Sequence, residues 1–143
     1  MSDNSKTIEY YLDKPYWVID ILPKQVPAKG KGQYFAVEKH LLTSPHVERI
    51  YQKFADLLLN LNCYDNIVVS HPDDDEWTEN PAPEVLEQMI LERKPLNIVL
   101  TQAQAMISIT GDDHYITVYN PDEESLNLLI ALAYAEGLHV WKP

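Results

Sequence analysis

The chain has 143 residues, 45% of them hydrophobic, and carries 22 acidic against 11 basic side chains for a net charge of −11. That length and apolar content suit one folded domain over residues 1–143 rather than a disordered chain. Only Arg49 and Arg93 are arginines, the side chain best shaped to read bases and phosphates, so no nucleic-acid role is expected.

Nothing in the sequence is long and apolar enough to cross a bilayer, and the N-terminal residues lack the apolar stretch of a signal peptide. The single cysteine, Cys63, leaves no internal disulfide and no cysteine-based zinc site. A cytoplasmic protein away from membranes is the plain expectation. Charge is unevenly spread: residues 1–40 hold six lysines against five acids, while residues 41–143 carry a net −12. Such asymmetry admits a basic protein partner, although acidic surfaces mostly serve solubility.

In chain order, Pro15-Tyr-Trp-Val-Ile-Asp-Ile-Leu-Pro23 is the first apolar run. Its length and β-branched content predict a strand buried on both faces, hence a central one. Asp20 is its anomaly. It reads either as a catalytic acid or as a strand-end aspartate accepting hydrogen bonds from a nearby loop. Lys24 to Gln33 is a loop, and Tyr34 to Leu42 a short helix with Tyr34, Val37 and Leu41 on one face. Ser44 is a candidate N-cap ahead of Pro45 at the first helical position. Val47, Ile50, Tyr51, Phe54, Leu57, Leu58 and Leu61 then recur at helical spacing and mark one amphipathic face.

Ile67 to Ser70 reads as a short strand, and the acidic, proline-rich stretch His71 to Pro83 as a loop. Pro83 to Arg93 is a helix with Val85, Leu86, Met89 and Ile90 inward, and with Arg93 and Lys94 at its C-terminal dipole. Leu96 to Thr101 is a strand. Around Gly111-Asp-Asp-His114 a hairpin pairs Ile109 with Ile116, Ser108 with Thr117 and Ile107 with Val118. That register places β-branched residues on one face and hydroxyl-bearing residues on the other. Asn120, Pro121 and Glu123 read as N-cap, N1 and N3 of a helix that closes at Gly137, with Leu138 completing a Schellman ending. Its leucines surround it almost completely, which predicts burial deep in the core or a homodimer interface. Leu138 to Trp141 is the last strand.

These elements predict an α+β (or α/β) single domain with a mixed sheet of about six strands, an antiparallel C-terminal hairpin and about four packed helices.

Ile67-Val-Val-Ser-His-Pro-Asp-Asp-Asp-Glu76 resembles the motif of the LmbE-like zinc-dependent N-acetylglucosaminyl deacetylases. The resemblance implies His71 and Asp74 as zinc ligands and Asp73 as base, and His/carboxylate sites do hold zinc that activates water. The likeness stops at Asp75-Glu-Trp-Thr-Glu, where that family continues with glycines, and no distal histidine ligand can be assigned. Across the whole chain, Lys14 to Pro23, Gly30 to Phe35 and Ala135 to Trp141 resemble stretches of small bacterial proteins, a likeness that brings no activity with it. Gly111-Asp-Asp is similar to the hairpin of RNA-dependent polymerases, but the chain is far too short for that fold and these are ordinary turn residues.

No nucleophile–base arrangement and no cofactor motif can be read. The favoured expectation is therefore a soluble acidic binding or adaptor protein without catalytic activity, of a toxin-neutralising kind and self-associating as a homodimer. The first alternative is a metal-dependent hydrolase using His71, Asp73, Asp74 and Glu76. The second is a small-anion or phosphate binder, with Lys29, Gly30, Lys31 and Gly32 turning backbone N–H groups toward the N-terminus of the next helix.

Overall fold

The computed structural model describes residues 3–24, 32–70, 76–111 and 113–143. Within them the fold is α+β, built on one open sheet of seven strands with five helices. The strands are β1 (Tyr16–Asp20), β2 (Ile67–Ser70), β3 (Trp77–Glu79), β4 (Leu96–Leu100), β5 (Ala105–Ile109), β6 (Tyr115–Tyr119) and β7 (His139–Trp141). The helices are α1 (Asp3–Leu12), α2 (Gly32–Leu41), α3 (His46–Asn62), α4 (Pro83–Leu91) and α5 (Glu123–Ala135). The sheet order is β3-β2-β4-β5-β6-β1-β7, and each pairing is antiparallel. This corrects the expected mixed sheet. The strand Trp77–Glu79 lies in a stretch whose polar, proline-rich composition reads as loop, and it pairs with β2 as an outer hairpin arm.

The β5–β6 hairpin has the register expected from its alternation, with Ile107 opposite Val118 and Ser108 opposite Thr117. Because residues directly opposite one another share a face, the ladder sorts the sheet into two surfaces. One surface carries Ile67, Val69, Ile98, Ile107, Ile109, Ile116, Val118 and Ile19, all buried. The apolar stripe of α3 covers it: Val47, Ile50, Tyr51, Phe54, Leu57, Leu58 and Leu61 are all buried, and they form one core with Leu86 and Ile90 of α4. At about 25 cal/mol per Å² of apolar area removed from water, this continuous layer is the main source of the fold's stability.

Several local readings are corrected. β1 is not central, since it lies between β6 and the edge strand β7; Val18 and Ile19 are buried on its two faces as expected, while Tyr16 at its start is exposed. Ser44 does not cap α3; its hydroxyl donates to Glu48 Oε1 at 2.7 Å. Val37 and Val85 point to solvent, and α2 instead turns Tyr34, Glu38 and Leu41 inward. Arg93 adopts φ +60° and lays its guanidinium 4.7 Å from the Tyr51 ring instead of extending along the helix end. Helix α5 is capped by Asp122, which accepts from Ser125 N at 2.7 Å, and not by Asn120. Asn120 has φ +64° and donates its side-chain amide to Gln104 O.

The far end of α5 is as expected. Gly137 at φ +78° lets Leu138 N reach Ala133 O at 2.8 Å, and Leu138 is fully buried. Only Leu129 and Ala133 of α5 are fully buried, so the helix is not enclosed on all sides. Among the described residues, no helix is long and apolar enough to cross a membrane.

Candidate functional site

The sheet's second surface presents Tyr16, Val18 and Asp20 from β1, Tyr115, Thr117 and Tyr119 from β6, and His139 and Trp141 from β7. Tyr16 stands opposite Tyr119, Val18 between Thr117 and Trp141, and Asp20 between Tyr115 and His139. The strand period of two therefore gathers three sets of alternate residues into one patch. Here α3, α4 and their core lie on the opposite side. The first turns of α2 instead add Tyr34 and Glu38 at the end nearest Asp20. The result is a cavity of about 410 Å³ with a floor of Val18 and Thr117 and walls of tyrosine, tryptophan and carboxylate. A second hollow of about 240 Å³ shares Asp20, Glu38 and Tyr115 and runs on to Asp113 and His114.

The rings are ordered. Tyr16 and Tyr119 sit with centroids 5.6 Å apart at an interplanar angle of 42°, across the ladder from each other. The hairpin that carries Tyr115 is held from the core side. Tyr51 donates its hydroxyl to Asp113 O at 3.2 Å, and His114 Nδ1 lies 3.1 Å from the Tyr51 hydroxyl oxygen. Trp141 closes the other flank, and its indole N–H is buried with no acceptor among the described residues. A buried donor of this kind costs about 1–3 kcal/mol until an acceptor reaches it.

Electrostatically the groove is negative. Burial pushes the Asp20 carboxyl above its ordinary value, with Glu38 adding to the rise. The Leu22 and Ile21 backbone N–H groups and His139 oppose it. Leu22 N donates to Asp20 Oδ1 at 3.3 Å, so the side chain does cap its own strand end as one reading of the sequence held. Burial raises Tyr34 as well, followed by the charges of Asp20 and Glu38. Burial likewise raises Tyr115 and Tyr119, helped by Asp113, Asp20 and Tyr16 at the first and by Tyr16 and Tyr115 at the second. Those phenols stay protonated and remain hydrogen-bond donors at neutral pH. No lysine or arginine lines either hollow among the described residues. Lys142, next to Trp141 in sequence, is 4.6 Å from the Trp17 ring, on the opposite side of β1.

The raised Asp20 carboxyl has a consequence for stability. A folded-state value above the unfolded one means that the folded protein holds this proton more tightly. The group's favourable contribution is then full at acid pH and is lost as pH rises from the ordinary aspartate value through the raised one. Tyr34 and Glu38 from α2, Tyr115 from β6 and His139 from β7 share its surroundings. Asp20→Asn keeps an oxygen for the Leu22 N–H and removes the buried charge. It is expected to melt higher than wild type at pH 7, with the difference closing below about pH 4. Thermal melts at the two pH values check this, and a lower melting temperature for Asp20→Asn at pH 7 would contradict it.

The residues singled out in the sequence fare differently. Lys29, Gly30 and Lys31 lie outside the described residues, and Gly32 is the exposed first residue of α2. His71, Asp73 and Asp74 also lie outside them, while Glu76 is exposed just before β3. Among the described residues, no group of three His, Cys, Asp or Glu side chains comes together to hold a metal. A further cavity of about 370 Å³ sits on the core side between α3 and α5, lined by Leu61, Leu100, Val118 and Leu128. Two of its acids serve the fold: Asp65 accepts from Gln102 N and Ala103 N, and Asp122 caps α5. The tyrosine groove gathers the larger set of aromatic hydroxyls and carboxylates.

The sequence does mark part of this groove, as the hydroxyl-bearing face of the hairpin, but not the pairing of β1 and β7 that completes it. Comparison with protein-family models, with curated proteins and with solved structures found no match to this chain.

Proposed function

We propose that the protein is a non-catalytic, acidic binding protein or adaptor whose binding surface is the groove formed by β6, β1, β7 and the start of α2. One observation carries the reading. A cavity of about 410 Å³ is walled by Tyr16, Tyr34, Tyr115, Tyr119 and Trp141 and holds two carboxylates. That volume falls within the range of small-ligand sites, about 300–1,000 Å³.

Chemistry on a bound molecule needs more than this. A hydrolytic site would require a nucleophile beside a base, or a metal, and the groove's hydroxyls are one threonine and four phenols, of which Tyr34, Tyr115 and Tyr119 are held protonated. Tyrosine and tryptophan instead offer large, rigid contact area at low entropic cost, which is what recognition uses.

A chemically diverse fragment set, followed by amide chemical shifts in the ¹⁵N-labelled protein, tests this. Binding fragments are expected to move amides of Tyr16–Asp20, Tyr115–Tyr119 and His139–Trp141 together. Shifts confined to the walls of the core-side cavity, at Leu61, Leu100 and Leu128, would contradict it.

A further inference from the structure

We infer that the groove accepts a methylated ammonium group carrying a hydrogen-bond acceptor a few bonds away. This rests on the groove being the binding surface and adds the chemical class of what binds there.

Three features of the cavity narrow the choice. The first is charge. Asp20 and Glu38 line the groove, Asp113 lies in the adjoining hollow, and no described lysine or arginine offsets them. An anion would be repelled, and a neutral solute would leave the carboxylates without a partner. The second is the balance between rings and carboxylates. Four tyrosines and one tryptophan surround the space, and one oxygen of Asp20 is already accepting from Leu22 N. A primary ammonium is strongly hydrated and needs several acceptors to replace its water. A methylated ammonium is weakly hydrated, donates few or no hydrogen bonds, and is held by aromatic faces within about 6 Å together with a nearby negative charge. The Tyr16–Tyr119 pair, 5.6 Å between centroids and open toward the cavity, supplies such faces.

The third is the Trp141 indole N–H, buried and without an acceptor among the described residues. Trp141 lines the cavity, and a small turn of its ring would bring that donor to a hydroxyl or carbonyl oxygen of the ligand, so the cation alone does not complete the fit.

The cavity floor adds a size limit. Val18, only 5% exposed, and Thr117 leave room above the strands but not between them. At about 410 Å³ the space takes a trimethylammonium head with a short polar tail.

Choline and its uncharged isostere 3,3-dimethyl-1-butanol, titrated into the ¹⁵N-labelled protein at low salt, separate shape from charge. Choline is expected to move the groove amides with an affinity at least about tenfold above the isostere, a gap of one good cation–π or charge contact. Asp20→Asn, which removes one charge from a protein that should stay folded, is expected to weaken choline by roughly the same factor and leave the isostere unchanged. Tetramethylammonium, lacking the hydroxyl, is expected to bind more weakly than choline in wild type and equally in Trp141→Phe. Nε-trimethyl-lysine amide, run beside choline, tells a modified protein side chain from a free solute as the natural source, since both carry the same head group. Equal binding of choline and the isostere at the groove amides, or tighter binding of n-butylammonium or acetate, would overturn the ligand class while leaving the groove as a binding surface. Groove amides unmoved by any of these compounds and by the fragment set would overturn both.

Discussion

Phe54→Ala is expected to cost about 3–5 kcal/mol of folding stability, the usual range for deleting a buried aromatic ring. Phe54 is fully buried at the centre of α3's apolar stripe, where that helix crosses the core face of the sheet. Its ring meets Tyr51 edge-on at 5.8 Å, and Tyr51 in turn reaches the carbonyl of Asp113. Loss of the ring therefore leaves a cavity between helix and sheet and loosens the clamp on the β5–β6 hairpin. Against a total stability of about 5–15 kcal/mol for a domain, such a loss is a large fraction. In melting temperature it corresponds to a fall of roughly 10 °C or more at this chain length. Thermal denaturation followed by far-UV circular dichroism checks it. A fall of under about 3 °C would mean that α3 is not the helix that closes the core.

Gly111→Ala is expected to be nearly as damaging, for a different reason. Gly111 has φ +88°, in the left-handed region, and a Cβ placed there would stand 2.5 Å from the backbone carbonyl oxygen of Arg93. The backbone conformation alone costs about 1–3 kcal/mol for a residue with a side chain. The collision adds to that, because the obstacle is main chain in the turn between α4 and β4 and cannot swing aside. Gly137→Ala is the matched control. Gly137 has φ +78°, but its added Cβ would meet only the Lys53 Nζ at 3.1 Å, the far end of a flexible side chain. Urea denaturation of both variants should show Gly111→Ala losing clearly more than Gly137→Ala. Equal losses would mean that the Arg93 turn does not press on the hairpin.

The two glycines also show how far sequence reaches. Gly137 announces itself: it ends a helical pattern and is followed by Leu138, so both its left-handed conformation and the buried leucine follow from local rules. Gly111 marks a turn, but its contact with Arg93 depends on α4 delivering that carbonyl beside the hairpin, and nothing local encodes it. The same division runs through the fold. The α3 stripe and the Ile107–Val118 register are periodic patterns in contiguous residues, and both are present as read. Helix α1 gives a shorter, fainter signal. Its Ile8, Tyr11 and Leu12 stand at helical spacing, but only Tyr11 is buried among the described residues. The three residues of β3 pair with β2 only because that strand presents an open edge.

The cap of α5 was ambiguous for a physical reason. Asn120 and Asp122 are both good N-cap residues two positions apart. The shift to Asp122 follows from Asn120 entering the left-handed region to bond Gln104 O, a long-range contact.

The groove divides in the same way. Tyr115, Thr117 and Tyr119 share a face by simple alternation, and the hairpin pattern predicts that. That Tyr16, Asp20, His139 and Trp141 join them depends on β1 slotting between β6 and β7, strands far from it in sequence. The burial of Asp20 was visible as an anomaly in an apolar run. The tyrosines beside it were not, because the partner strand could not be chosen from the sequence.

The most direct measurement is of contact. With choline bound, nuclear Overhauser effects from its N-methyl protons should reach the ring protons of Tyr16, Tyr119 and Trp141, the walls of the groove on the open face of the sheet. Overhauser effects that instead reach the methyl groups of Leu61 and Leu128, in the cavity between α3 and α5, would place the binding site on the core side and contradict the assignment of the groove.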